Sequence, residues 1–166
     1  MIFETGAKVV YPAHGIAEVL GRETVTIDGV AQTYLRLHVA GPDANPAGGL
    51  LLSVPEDRAV GIGVRLAMSS GEAREVLEVL AVSDVRVPSN WSRRFKNHQE
   101  KLRSGDIYQC AEVVRNLAAH QAKKRLAPAE SRMYDNARYN LISELAVTWE
   151  IDYERAEQRV DEALAS

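Results

Sequence analysis

The hydrophobic pattern of this chain changes period near Gly63, and that switch limits the fold to two modules of different class. Before it, residues 8–11, 16–20, 24–27, 34–39 and 50–54 form short runs rich in Val, Ile, Thr and Tyr, separated by turn residues, which predicts strands. Asp28-Gly29 falls between two of these runs and suits a tight hairpin, because both positions tolerate positive φ. In Tyr34-Leu35-Arg36-Leu37-His38-Val39, alternation puts Leu35, Leu37 and Val39 on one face and Arg36 and His38 on the other. The stretch 41–49 is a loop by composition, and the turn after Tyr11 is set by Pro12 and Gly15. The expectation is a small, strongly bent β-barrel.

After Gly63 apolar residues recur at helical spacing. Ser69 and Glu72 are spaced for a capping box, ahead of Val76, Leu77 and Leu80. Asn90, Asp106 and Asp152 are placed to cap three further helices, and Pro128 to start another. Their expected inward stripes are Trp91, Phe95 and Leu102; Ile107, Cys110, Ala111, Val114, Leu117 and Ala118; Tyr134, Ala137, Leu141 and Leu145; and Tyr153, Ala156, Val160 and Leu164. The fold class expected is therefore α+β and multidomain: a β module over residues 1–62, then an all-α domain of about five helices over 63–166.

Several function classes find no support. The apolar runs are far shorter than the roughly 20 residues a membrane-spanning helix needs, and no basic-then-apolar leader opens the chain, so a cytoplasmic protein without membrane contact is expected. The lone Cys110 cannot form an internal disulfide and reads as a buried thiol. His14, His38, His98 and His120 are scattered without a thiol pair, so no metal site is expected. No glycine-rich phosphate loop, nucleophile elbow or paired-acid motif occurs, so neither a cofactor nor an enzymatic activity is expected. A net charge of −3 argues against coating nucleic acid by charge alone, but its distribution is uneven. Six basic residues (Arg86, Arg93, Arg94, Lys96, Lys101, Arg103) face one acidic residue, Glu100, between 86 and 103, whereas 150–162 is mostly acidic. One basic face and an acidic tail helix follow.

Two segments carry more specific information. Gly6-Ala7-Lys8-Val9-Val10-Tyr11-Pro12-Ala13-His14-Gly15 resembles the opening of the CarD family, a Gly-Asp-x-Val-Val-Tyr-Pro-x-His-Gly pattern that begins a Tudor-like domain, also found as the polymerase-binding part of transcription-repair coupling factors. Asn90-Trp91-Ser92-Arg93-Arg94-Phe95-Lys96, continuing through Ser104-Gly105-Asp106 to Arg115, resembles the helical domain of actinobacterial CarD proteins. The resemblance implies a transcription regulator whose β domain docks on the RNA polymerase β subunit. Its tryptophan would wedge into the minor groove at the upstream edge of melted promoter DNA and stabilise the open complex. It gives Trp91 the wedge role and Arg93, Arg94 and Lys96 nearby phosphates; phosphate contacts read little sequence, so promoter DNA is expected to be bound largely without sequence specificity, and a monomer is expected. By spacing alone Trp91 belongs to a core stripe with Phe95 and Leu102; the resemblance turns it outward. Trp149 lacks basic surroundings and reads as packing.

The chain also departs from the family pattern. Ala7 replaces the aspartate of the opening motif, and the 41–49 loop is long. Where family members carry polymerase-contacting arginines, this chain has Arg22-Glu23-Thr24-Val25 and Leu52-Ser53-Val54-Pro55. Arg22, Arg36 and Ser53 are the candidates left at that surface, which implies weaker or altered polymerase binding, as in a divergent paralogue. The alternative function is an interaction adaptor whose Tudor-like module binds a partner other than polymerase.

Overall fold

The computed structural model describes residues 3–11, 15–39, 49–83 and 85–166. The chain divides into two compact units, Met1–Ala67 and Met68–Ser166. This is the expected fold class: an antiparallel β module followed by a domain of five helices.

In the first unit the strands β1 (Lys8–Tyr11), β2 (Gly15–Ile27), β3 (Val30–Val39), β4 (Leu50–Pro55) and β5 (Arg65–Leu66) form one sheet in the order β4-β3-β2-β1-β5. The runs 16–20 and 24–27, read as separate strands, are one strand. The chain stays paired to β3 through a bulge between Val19 and Gly21, which tolerates the extra residue because glycine accepts φ 153°. At the far end Asp28 and Gly29 take φ 52° and 78°, the two positive values the hairpin turn demands. Alternation holds along β3: Leu35, Leu37 and Val39 are buried and Arg36 is exposed. With Phe3, Val9, Ala17, Val19, Val54, Ala59 and Val64 they form the core of this unit. The unit runs past residue 62 because Arg65 and Leu66 pair with Val10 and Val9, and Ala67 donates to the Lys8 carbonyl at 3.2 Å. A 3-10 turn (Glu56–Arg58) and the single-turn helix α1 (Ala59–Ile62) precede that return. Pro12 and His14 of the expected turn, and positions 41–48 of the expected loop, lie outside the described residues.

The second unit packs α2 (Ser70–Ala81), α3 (Trp91–Arg103), α4 (Ile107–Lys123), α5 (Pro128–Trp149) and α6 (Tyr153–Ala165) around one core. The starts obey the capping logic. Ser69 and Glu72 exchange both bonds of a capping box at 3.1 and 3.0 Å. Asn90, Asp106 and Asp152 accept from backbone amides of the first turns they precede. Pro128 stands at the first turn of α5, where its missing N–H costs nothing. Val76, Leu80, Ala111, Val114, Leu117, Leu141, Leu145, Ala156 and Val160 fill the core. Cys110 is half-buried rather than sealed, because the stripe of α4 centres on Ala111, Val114 and Leu117, with Val113 and Asn116 also turned in. Trp149 packs against this core with the Arg159 guanidinium 4.7 Å above its ring. Met68 is bound to α5 by its amide, which donates to Glu144 at 2.7 Å, and by its carbonyl, which accepts from Thr148 at 2.8 Å.

Candidate nucleic-acid interface

The start of α3 sets the geometry of the site. Asn90 Oδ1 accepts from the Arg93 amide at 3.0 Å, which fixes where the helix begins and so where Trp91, its first residue, projects. The inward residues of α3 are Arg94, His98 and, half-buried, Leu102, one helical turn apart each time. That frame is rotated from the Trp91–Phe95–Leu102 stripe that spacing suggests. Trp91, three residues before Arg94 and seven before His98, still shares this face, but as the first residue of α3 it is 43 % exposed and stacks on the half-buried Phe95, ring centroids 5.2 Å apart and planes 10° from parallel.

Arg94 explains the rotation. Its guanidinium is buried and forks onto Glu130 of α5, Nε to Oε2 at 2.8 Å and Nη2 to Oε1 at 2.9 Å. Nη1 donates to the carbonyls of Ser89 and Pro88 at 3.3 and 3.5 Å. Mutual hydrogen bonding holds the Arg94 guanidinium above, and the Glu130 carboxyl below, their ordinary ranges, so both are charged at neutral pH. Arg94 thus departs from the phosphate contact expected of it: its donors face inward. It ties the segment before α3 to the first turn of α5. A turn further on, the His98 ring is fully buried; burial first, then the Lys101 charge, lowers its pKa to about 4. Its Nε2 lies 3.4 Å from the Asn116 amide nitrogen, and its Nδ1 has no partner among the described residues.

Arg93 and Lys96 are exposed and make no ion pair among the described residues, but two and five positions after Trp91 on the same helix they lie round toward the side of α3 away from the indole. Lys101 instead bridges Glu112 at 3.1 Å. The structure adds cations that the 86–103 window left out. Lys124 and Arg125, after α4, and Arg132, on α5, are exposed and line one cleft together with Trp91 and His120. The Lys123-Lys124-Arg125 run was a visible signal, but only the α4–α5 connection brings it to the tryptophan.

The candidates on the sheet separate into two kinds. Arg22 is mostly buried, with Nε on Glu56 at 2.7 Å and Nη2 on the Phe3 carbonyl, so it closes the N-terminal segment and the 3-10 turn onto the sheet. Arg36 and Ser53 are exposed and directly opposite each other on β3 and β4, and β4 is a terminal strand of the described sheet. Among the described residues no three His, Cys, Asp or Glu side chains gather to hold a metal, and no helix is long and apolar enough to cross a membrane.

Comparison with known proteins gives a consistent picture along the chain. Residues 75–161 match the model of the CarD C-terminal domain, and residues 3–60 that of the CarD-like/TRCF RID domain. YdeB of Bacillus subtilis (strain 168), which carries a transcription-factor designation, is 27 % identical over 148 residues, covering 88 % of this chain and 92 % of its own. The solution structure of the 72-residue N-terminal domain of Myxococcus xanthus CarD is 26 % identical, covers 39 % of this chain and 77 % of that one, and superposes with a TM-score of 0.30.

Proposed function

The chain belongs to the CarD family of transcription regulators, which engage RNA polymerase, and from that premise we propose that it docks on the polymerase β subunit through its first unit and prolongs the open promoter complex with Trp91. The observation that carries this reading is the exposed indole at the start of α3, backed by Phe95 and bordering a cleft that the exposed cations Lys124, Arg125 and Arg132 also line.

An indole fixed in this way enters a partly unstacked base step at the upstream edge of the bubble. Stacking of that kind is worth about 1–3 kcal/mol per base, equivalent to slowing bubble closure roughly 5- to 150-fold. Its rigidity matters as much as its area, since an anchor already held in place loses little side-chain freedom on insertion. Arg93, Lys96 and the cations beyond α4 neutralise phosphates and set register without reading sequence. Arg94 acts indirectly, as the strut that holds the start of α3 on α5.

With a net charge of −3 the protein binds free DNA weakly, so polymerase supplies the effective concentration. Arg36 on β3 and Ser53 on the terminal strand β4, both exposed, are the docking candidates. The test is the lifetime of the open complex on a linear promoter with the cognate polymerase. Wild-type protein lengthens it, and Trp91→Ala returns it to the value without protein while still co-purifying with polymerase. An unchanged lifetime removes the wedge; failure to co-purify in the wild type favours an adaptor with another partner.

A further inference from the structure

Trp91 forms part of a larger feature than a wedge. It lines an open cleft of about 1120 Å³, bounded by the start of α3 and the α4–α5 connection, all within the second unit. This exceeds the roughly 300–1,000 Å³ of most pockets that hold small molecules. Phe95 stacks against one face of the indole, yet Trp91 stays 43 % exposed and borders the cleft. Pro88 and Leu126 add apolar surface, while Lys124, Arg125 and Arg132 add exposed cations. Among the lining residues the one carboxylate is Glu130, and both of its oxygens are engaged by Arg94. The uncompensated charge of the cleft is therefore positive, next to an aromatic plane.

That combination suits neither a bare phosphate backbone, which needs no aromatic wall, nor an apolar ligand, which needs no cations. It suits a planar base carrying a phosphate. We propose that the cleft receives one unpaired nucleotide, with its base against Trp91, Pro88 and Leu126 and its phosphate beside Lys124, Arg125 and Arg132. Its source is the strand displaced at the bubble edge, an assignment that rests on the wedge reading above. The base that the indole unstacks then has a place to go, and re-pairing requires it to leave the cleft first. A free nucleotide offers the same chemistry, so the test treats the two sources separately.

Fork-junction promoter DNA carrying 2-aminopurine at each unpaired position of the upstream edge, bound to polymerase, provides the readout. With wild-type protein one position is quenched at least 2-fold. Ser131→Leu on α5 and Gln121→Leu on α4 crowd the cleft from two elements without removing Trp91 or a cation, and each restores the emission. Gln121 is exposed, so its variant carries the test if Ser131→Leu does not fold. Lengthened open-complex lifetime with no quenched position, or quenching unaffected by either variant, overturns the nucleotide site and leaves the wedge standing. No change in lifetime or in fluorescence removes the wedge, and the site with it. In a Trp149→Phe chain, titration with AMP alone reads Trp91 emission. No saturable change below about 1 mM supports the strand as source; saturable quenching that Ser131→Leu abolishes overturns the strand assignment in favour of a free nucleotide.

Discussion

Arg94 and Glu130 lie 36 positions apart and meet as a two-pronged ion pair, Nε to Oε2 at 2.8 Å and Nη2 to Oε1 at 2.9 Å, in the lining of the cleft that Trp91 borders. Both side chains are withdrawn from water, Glu130 almost completely. Pairs of this kind are often no more stabilising than apolar residues of the same shape, but losing one partner strands a buried charge. Specificity of arrangement is what the pair contributes here. Arg94 also holds the Pro88 and Ser89 carbonyls, so the direction of the indole depends on the bridge.

Removing one side of the bridge should therefore be costly. Arg94→Met or Glu130→Gln is expected to destabilise the second unit by about 3–5 kcal/mol, and the combined Arg94→Met, Glu130→Leu chain by less than the sum. Urea unfolding followed by tryptophan fluorescence measures this cleanly, because Trp91 and Trp149 both belong to the second unit. Additive single effects would show that the two residues do not act as a pair. The double replacement should also shorten open-complex lifetime more than its stability loss alone explains, since the indole is then loosely held.

The buried imidazole gives the second unit a pH dependence of definite sign. In the unfolded chain His98 takes its proton near the ordinary value of about 6.5; in the folded protein burial and the Lys101 charge delay this to about 4, with Arg94 and His120 acting in the same direction and Glu130 against. The unfolded state therefore binds more protons between these values. Stability is complete above about pH 6.5 and is lost as pH falls toward 4, by about 3 kcal/mol. His98→Gln should flatten that window in a urea–pH series. An equal slope in the variant would assign the loss to the carboxylates instead. Glu130 contributes separately and lower: its depressed pKa gives stability present above the ordinary carboxylate range, which disappears as pH falls through the folded value.

Local chemistry made much of this fold readable from the chain. Asp28-Gly29 and the caps at Ser69, Asn90, Asp106 and Asp152 act over three or four residues, and each occupies the expected position. What was not legible depends on distant partners. Arg94 reads as a surface cation beside Arg93 until Glu130 is brought to it by the α3–α5 packing. Arg65 and Leu66 form too short a run to register as a strand, and only pairing with Val10 and Val9 makes them one. Periodicity placed Trp91 on the inward stripe, and it does share a face with the buried Arg94 and His98, but it is the first residue of α3 and stays exposed there, which spacing along a helix does not reveal.

The cations around the cleft predict a salt dependence. If Lys124 and Arg125 neutralise promoter phosphates, Lys124→Ala and Arg125→Ala should each reduce the slope of log affinity against log salt by about 1, measured on polymerase-bound fork DNA. Their effect should be uniform across promoter sequences, because a phosphate contact holds register and reads no base. A slope unchanged in the double variant places these residues off the DNA.

On the sheet, Arg22 and Arg36 should behave oppositely although both are arginines of neighbouring strands. Arg22 is committed to Glu56 and the Phe3 carbonyl, so Arg22→Ala leaves a partly buried carboxylate and a carbonyl without their donor. That should destabilise the first unit by about 1–3 kcal/mol, and any loss of polymerase binding should follow the loss of fold. Arg36 is solvent-facing opposite Ser53, so Arg36→Glu should leave the melting temperature unchanged within about 0.5 kcal/mol of stability. Its effect should fall on polymerase association, mainly on the on-rate and its salt dependence, as expected for a charge at an interface rim. Surface plasmon resonance against the polymerase β subunit, paired with thermal melts, separates the two. Arg36→Glu binding as tightly as wild type would move the docking surface away from this face of β3 and β4.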